Sequence, residues 1–166
     1  MSDSEKAMIP GSFDPPTYGH LDMIERCSRL YKETDVVIAD NIKKHCMFSP
    51  KERKAMLEEL TSSYPNVHVT VYPGLVVDYA REHGVGVLIR GIRTVVDFGA
   101  EFEAALINKK LNSDLEVLFM PTSEQCSLLR SSTIKELASF GADVSKFVPP
   151  LVSDALKRKM KENPSC

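Results

Sequence analysis

Short apolar runs alternate along the chain with stretches whose apolar positions recur every three or four residues. Runs rich in β-branched and other apolar side chains predict strands at residues 7–10, 35–39, 67–72, 85–89 and 117–120. The helical spacing predicts helices at about 20–30, 49–60, 75–83, 98–111, 131–140 and 150–160. This alternation indicates successive βαβ units. We therefore predict an α/β fold: a Rossmann-like, doubly wound, five-stranded parallel sheet with helices on both faces.

A polar loop follows the first predicted strand and reads GSFDPPTYGH over residues 11–20. Its glycines let the backbone approach a ligand closely, and Ser12 offers a hydroxyl and an N–H group to a phosphate. His20 stands at a predicted helix start, where free N–H groups and the helix dipole attract anions. Taken alone, the loop could equally be an ordinary Gly/Pro turn.

A second polar cluster comes directly after the fourth predicted strand, where Arg90 and Arg93 flank Gly91. Guanidinium groups bind phosphate through two parallel hydrogen bonds, and the glycine permits a tight turn. Glu101 follows on the next predicted helix. The alternative is a solvated arginine loop beside an acidic helix start capped by Asp97.

A third cluster follows the fifth predicted strand and is rich in hydroxyl groups over residues 126–133. Ser131 or Ser132 can cap a helix there, and such a helix start can bind phosphates. A plain N-cap without a ligand is the open alternative. In the basic loop after the second strand, the flexible ammonium of Lys44 can follow charge on a transferring phosphate.

These strings resemble a known family of enzymes. G-[ST]-F-D-P-x-T-x-G-H resembles the signature of the nucleotidyltransferase superfamily, and Thr17 stands where many members carry histidine. Threonine there, together with RGIRTVVDFGAE over residues 90–101, resembles the phosphopantetheine adenylyltransferases. The likeness extends from Ile9 to about Leu151. It implies transfer of the adenylyl group of ATP to 4′-phosphopantetheine, giving dephospho-coenzyme A and pyrophosphate in coenzyme A biosynthesis.

The resemblance also implies roles for individual residues. His20 and Lys44 would be catalytic. The acceptor would contact Ser12, Lys44, Val76 and Arg90. ATP would contact Ser12, Phe13, His20, Gly91, Ile92, Arg93, Glu101, Cys126, Ser127, Leu128, Leu129, Arg130, Ser131 and Ser132. In that last run Arg130 replaces a serine of the superfamily, and Cys126 replaces an aromatic residue of many relatives.

The same resemblance implies Mg²⁺ entering with ATP, no metal site made by the protein alone, a homohexamer and possible feedback binding of coenzyme A. In-line attack on a phosphate depends on positioning and charge stabilisation, so it requires no protein nucleophile.

Composition limits the remaining possibilities. The 166 residues suit one nucleotidyltransferase domain over 1–166, with flexible ends at 1–5 and 161–166. A net charge of −2 argues against a general nucleic-acid binder. We find no signal-peptide core and no apolar run long enough for a membrane span. The four cysteines form no C-x-x-C pair, so we expect reduced thiols in a cytoplasmic protein.

Two alternatives stay open. A nicotinamide-mononucleotide adenylyltransferase or a cytidylyltransferase would resemble the chain in the first and third clusters. Such enzymes usually carry histidine at the Thr17 position and lack the string over 90–101. A nucleotide-sensing domain without catalysis could keep the fold, but it would have no use for His20, Lys44 and Arg93 together.

Overall fold

The computed structural model describes residues 5–40, 45–123 and 130–162. Its strands are β1 (Lys6–Gly11), β2 (Glu33–Ala39), β3 (Val67–Tyr72), β4 (Val87–Ile92) and β5 (Glu116–Pro121). Its helices are α1 (Tyr18–Leu30), α2 (Pro50–Leu60), α3 (Val76–Glu82), α4 (Val95–Leu111), α5 (Ser131–Ser139) and α6 (Pro150–Glu162). Within these ranges no helix combines the length and the apolar character needed to cross a bilayer.

The five strands form one parallel sheet in the order β3-β2-β1-β4-β5. The chain therefore builds the sheet outward from β1 on one side, then returns and builds outward on the other. This arrangement confirms the predicted doubly wound α/β fold. Ligands of such sheets bind outside the carboxyl ends of the strands where the order reverses, which here means beside β1 and β4.

The core lies on both faces of the sheet because successive side chains of a strand point to opposite faces. On one face Ile9 packs with Ile24 of α1 and Leu57 of α2, all fully buried. On the other face Met8 packs with Ala80 of α3. Strands buried on both faces must be apolar throughout, which explains the continuous runs in the sequence.

A third apolar cluster joins α2, α5 and α6 beside the sheet. It includes Met56 of α2, Ile134 of α5 and Leu156 of α6, together with Phe48 just before α2. This packing brings the first turn of α5 against the loop after β1.

Two boundaries in the second polar cluster differ from our predictions. Arg90, Gly91 and Ile92 belong to β4 instead of following it, because they continue the ladder with β5. Helix α4 begins at Val95, earlier than predicted. Thr94 is its N-cap, since its hydroxyl accepts the N–H of Asp97 at 3.2 Å, so Asp97 does not cap this helix.

Two further predicted boundaries were wrong. Arg130, and neither Ser131 nor Ser132, occupies the cap position of α5. Helix α6 continues to Glu162, two residues beyond the end that we predicted at residue 160. Residues 1–4 and 163–166 lie outside the described ranges, and the flexibility of the two chain ends stays a prediction.

Candidate active site

Two neighbouring cavities open at the carboxyl ends of β1 and β4. The first cavity has a volume of about 160 Å³, and its walls include Phe13, Thr17, His20, Gly91, Arg93 and Thr122. The second cavity has a volume of about 370 Å³, and its walls include Ser12, Val76, Ala104, Ala105 and Asn108. Pro10, Gly11, Arg90 and Glu101 line both. The polar residues predicted from separate strings thus meet at the edge of the sheet that binds ligands in this fold.

His20 is held by a reciprocal cap at the start of α1. Its Nδ1 accepts the backbone N–H of Thr17 at 3.0 Å, and the Thr17 hydroxyl accepts the N–H of His20 at 3.4 Å. Because Nδ1 accepts a hydrogen bond, Nε2 carries the ring proton. Burial, and secondarily the positive charge of Arg93, lowers the pKa of His20 to about 4. At neutral pH His20 is therefore an uncharged N–H donor in the first cavity.

Phe13 fixes the other side of the histidine. The phenyl ring is buried and meets the His20 ring edge-on, with 4.9 Å between centroids. Its φ of 49° lies in the left-handed region that most side chains avoid, a kind of strain that clusters at functional sites. Gly11 makes room for this arrangement, since a Cβ there would lie 3.1 Å from the Phe13 ring.

Arg90 and Glu101 form a two-bond ion pair between the cavities. The Arg90 Nε donates to Oε2 of Glu101 at 2.6 Å and Nη2 donates to Oε1 at 3.0 Å. Nη1 donates to the carbonyl of Pro10 at 3.0 Å. Three directed bonds therefore fix the guanidinium plane, and hydrogen atoms on Nη1 and Nη2 remain available to an anion.

A second ion-pair group joins two of the polar clusters. The Arg130 Nη2 donates to Oδ1 of Asp97 at 2.5 Å, and the Arg93 Nε lies 3.5 Å from Oδ2. The guanidinium groups of Arg93 and Arg130 are thereby brought together beside the first cavity. Two closely spaced arginines are suited to binding adjacent phosphates of a polyphosphate chain.

The structure accounts for most of the remaining predicted residues. The Ser131 hydroxyl donates to the carbonyl of Pro15 at 3.0 Å, so the first turn of α5 contacts the first polar loop. The carbonyl of Ile92 accepts the N–H of Thr122 at 3.0 Å, and Ser132 is exposed. The predicted residues that lie outside the described ranges are Lys44, Cys126, Ser127, Leu128 and Leu129.

One buried cation at this edge carries no predicted role. The side chain of Arg53 in α2 is 1% exposed, and it donates to the carbonyls of Ser12 at 2.9 Å and Phe48 at 3.0 Å. It also pairs with Asp40 at 3.3 Å. The sequence does carry a signal, since Arg53 shares the apolar face of α2 with Met56 three positions later. A charge at such a position indicates a buried partner.

The charges of this edge are arranged for anions. Among the residues that the structure describes, no group of three or more His, Cys, Asp and Glu side chains could hold a metal ion. The carboxylates nearest the cavities, Asp97 and Glu101, are paired with arginines. The polar groups offered to a ligand are thus the His20 N–H and the guanidinium groups of Arg90, Arg93 and Arg130.

Known proteins share this architecture. Residues 8–137 match the model of the cytidylyltransferase-like family. A putative nicotinate-nucleotide adenylyltransferase from Vibrio parahaemolyticus superposes with a TM-score of 0.66 at 15% identity, covering 96% of this chain and 93% of that one. The Plasmodium falciparum nicotinic acid mononucleotide adenylyltransferase complexed with NaAD gives 0.68 at 16%, covering 93% and 95%. These two likenesses establish a shared fold, and the family match over 8–137 shows that the chain belongs to the cytidylyltransferase-like family of the nucleotidyltransferase superfamily.

Proposed function

We propose that this chain transfers the adenylyl group of ATP to 4′-phosphopantetheine, giving dephospho-coenzyme A and pyrophosphate. The observation that carries the proposal is the pair of cavities separated by Arg90 and Glu101. The first cavity gathers the His20 donor and Arg93, which suits a nucleoside triphosphate. The second begins at Ser12 and Arg90 and suits an acceptor that carries a phosphate.

The lining of the second cavity favours phosphopantetheine among phosphorylated acceptors. Beyond Ser12, Arg90 and the Glu101 carboxylate paired with Arg90, the wall includes small and apolar side chains with one amide: Val76, Leu88, Ala104, Ala105, Val117 and Asn108. The pantetheine arm has a matching order of groups, with a phosphate at one end followed by a narrow chain of methyl, methylene and amide groups. Apolar walls with a few placed polar groups are typical of small-molecule sites.

The reaction requires hydrogen-bond donors and cations of the kind found at this edge of the sheet. An oxygen of the acceptor phosphate attacks the α-phosphorus of ATP and forms the new P–O bond. The bond from the α-phosphorus to the oxygen bridging to the β-phosphate breaks, and pyrophosphate leaves with that electron pair. Nε2–H of His20 donates to the α-phosphate as negative charge gathers there, while Arg93 and Arg130 hold the departing phosphates. We propose Lys44 as a second cation for the α-phosphate.

Mg²⁺ belongs to the substrate in this proposal. Asp97 and Glu101 are paired with arginines, so ATP, and not these carboxylates, would supply most of the ligands of the ion. The ion would neutralise part of the phosphate charge that the arginines also face. A rising Mg²⁺ concentration should therefore increase the rate until ATP is saturated with the ion.

The first experiment measures pyrophosphate release by the purified chain with ATP and Mg²⁺. Two acceptors are compared: 4′-phosphopantetheine and nicotinic acid mononucleotide, the latter because both structural neighbours are named for nicotinate nucleotides. Release only with phosphopantetheine, with dephospho-coenzyme A identified by mass, supports the proposal. Release only with the mononucleotide refutes it and keeps adenylyl transfer. ATP binding without release in either case favours a nucleotide sensor.

A pair of variants tests whether the second cavity binds the acceptor. Ala105→Leu narrows the cavity, and we expect it to raise the KM for phosphopantetheine about tenfold or more, since overpacking costs about 1–3 kcal/mol. The affinity for ATP should stay the same. Ala100→Leu is the control because it makes the same change at an exposed position of the same helix. Equal effects of the two variants would remove the acceptor from this cavity.

A further inference from the structure

The carboxylate of Asp14, in the loop after β1, is a meeting point of three chain segments. It is 5% exposed and accepts hydrogen bonds on both oxygens. Its Oδ1 accepts the N–H of Phe48 at 2.9 Å, and its Oδ2 accepts the N–H of Met47 at 2.9 Å. Oδ2 also accepts a charge-assisted bond from Nζ of Lys135 at 2.6 Å. A near-buried carboxylate is thus satisfied by two backbone donors and one cation.

Lys135 connects this carboxylate to helix α5. It lies four positions after Ser131, so both side chains are on one face of the helix. Ser131 donates to the carbonyl of Pro15, the neighbour of Asp14, at 3.0 Å. Two bonds from one helix face therefore hold the start of α5 against residues 14 and 15. Phe13, on the other side of Asp14, contacts the His20 ring.

The burial of this pair sets it apart from ordinary surface ion pairs. The Lys135 side chain is 24% exposed and that of Asp14 is 5% exposed. Lys54 and Glu58 of α2 also lie 2.6 Å apart, but their side chains are 39% and 52% exposed. Water screens the exposed pair and screens the Asp14 pair far less. Losing the Lys135 cation would leave the carboxylate with its two backbone donors and without this positive charge.

We propose that Lys135 is a positioning residue for adenylyl transfer. Its ammonium group holds the start of α5 against Asp14 and so sets where Arg130, next to that helix start, lies relative to His20. Lys135 itself contacts neither substrate. The inference rests on the proposed function, in which Arg130 holds the departing phosphates and His20 the α-phosphate. A misplacement of about 1 Å between such groups costs about 10²-fold in rate.

The test compares Lys135→Met, Lys135→Arg and the control Lys54→Met. Methionine keeps much of the volume and removes the charge, whereas arginine restores a cation. We expect Lys135→Met to lower kcat/KM for ATP by about tenfold to a hundredfold. The KM for phosphopantetheine should stay within about twofold, because Ser12 and the walls of the second cavity keep their own contacts. Lys135→Arg should recover most of the loss, and Lys54→Met should equal the wild type.

Three results would overturn the proposal. The first is a Lys135→Met enzyme whose kcat/KM for ATP equals that of Lys54→Met. The second is a loss shared equally by ATP and the acceptor, with a lowered Tm and no recovery in Lys135→Arg, which indicates a purely structural role. The third result concerns ATP binding and applies if the wild-type protein does not use phosphopantetheine. Calorimetry of ATP binding then replaces kinetics. Equal Kd values for Lys135→Met and Lys54→Met would refute the inference. A weaker Kd in Lys135→Met supports it even when the acceptor is misidentified. If Lys135→Met does not fold, Lys135→Gln is judged by the same comparisons.

Discussion

The backbone N–H of Thr17 donates to Nδ1 of His20 at 3.0 Å, and the hydroxyl of Thr17 lies 3.1 Å from the same nitrogen. These contacts leave Nε2 as the protonated nitrogen of the ring. Residue 17 therefore does more than begin a helix, because its backbone selects the tautomer that can donate to a phosphate. The donor is neutral, so in the proposed reaction we expect its contribution to come from direction and not from charge.

The neutral histidine gives a pH prediction. Burial lowers the pKa of His20 to about 4, whereas an unfolded histidine titrates near 6.5. Nitrogen-15 NMR of the ring should show the Nε2–H tautomer at pH 7, unchanged to about pH 5.5, with a transition near pH 4. The plot of kcat/KM against pH should lack a descending limb near 6.5 from this residue. A ring signal that titrates near 6.5 would contradict this account.

The same shift affects stability. Between about pH 6.5 and 4 the unfolded chain binds a proton at residue 20 that the folded chain does not. The free energy of unfolding should therefore fall as pH drops through that window. In His20→Gln this part of the pH dependence should be absent. Urea denaturation at pH 7, 5.5 and 4.5 measures the difference, and parallel losses in both proteins would show that His20 is not the group responsible.

His20→Ala tests the role of the donor in the transition state. We expect kcat to fall by about 10²–10³-fold, the usual effect of losing one preorganised donor at a developing negative charge. The Kd for ATP should change much less, because the arginines still bind the phosphates. His68→Ala is the control, since His68 is exposed on β3. A large loss of ATP affinity with unchanged kcat would instead assign His20 to ground-state binding.

The fold could be predicted largely from local pattern, since the central strands β1 and β2 are buried on both faces and must be apolar. The end of β4 could not be predicted in this way. Arg90 and Gly91 do not look like strand residues, and they extend the ladder only because Phe119 and Met120 of β5 lie beside them. A boundary that depends on a neighbouring strand is set by tertiary contact, which local propensity does not report.

The candidate site, like the fold, could be predicted only in part from the sequence. The strings that we expect to bind phosphate can be recognised by their glycines, histidine and arginines, and the structure brings most of the described residues together. The residues that hold those strings in place carry at most a charge on an apolar helix face, as Arg53 does, and their local sequence does not identify the partner. Lys135 and Asp14 are 121 positions apart, and Arg53 reaches Ser12 across 41 positions. Their importance follows from burial, which becomes visible only after folding.

Arg90→Lys tests whether the fork of bonds to Glu101 matters beyond charge. Lysine keeps the positive charge but cannot make the two parallel bonds and the third bond to Pro10. We expect kcat/KM for the acceptor to fall about tenfold, since one charge-assisted hydrogen bond contributes about 1.5–3 kcal/mol. Arg29→Lys, in an exposed pair with Glu25, is the matched control. Wild-type kinetics in Arg90→Lys would mean that charge alone suffices.

Arg53→Met tests the buried cation of α2. The substitution removes the buried donor to the carbonyls of Ser12 and Phe48 and the cation paired with Asp40. We expect the free energy of unfolding to fall by about 3 kcal/mol, as for other broken buried pairs. Arg29→Met removes an arginine that is 72% exposed and should cost less than about 1 kcal/mol. Similar midpoints for the two variants in urea would show that Arg53 is energetically an ordinary surface residue.

Helix α4 presents an apolar stripe that the residues described by the structure leave largely exposed. None of its 17 residues is buried, and Phe98, Phe102 and Leu106 follow one another at four-residue spacing with 42%, 46% and 52% of their surfaces exposed. Exposed apolar patches of this kind mark interaction surfaces, and the family resemblance implies a homohexamer. A second copy of the chain would match this stripe, because a symmetric contact places the same apolar residues on both sides.

We therefore expect light scattering to give a mass about six times the 18.5 kDa of one chain. We expect Leu106→Glu to reduce this mass, because in a symmetric contact the buried carboxylate would face the same carboxylate of the other copy. Ala100→Glu is the control, since it introduces the same carboxylate and the same change of one charge at an exposed position of the same helix. Ala105 and Glu101 lie on α4 as well, so the dissociated variant should also lose part of its activity. A wild-type protein that stays monomeric at micromolar concentration would refute the expectation, and an unchanged mass in Leu106→Glu would place the contact on another surface.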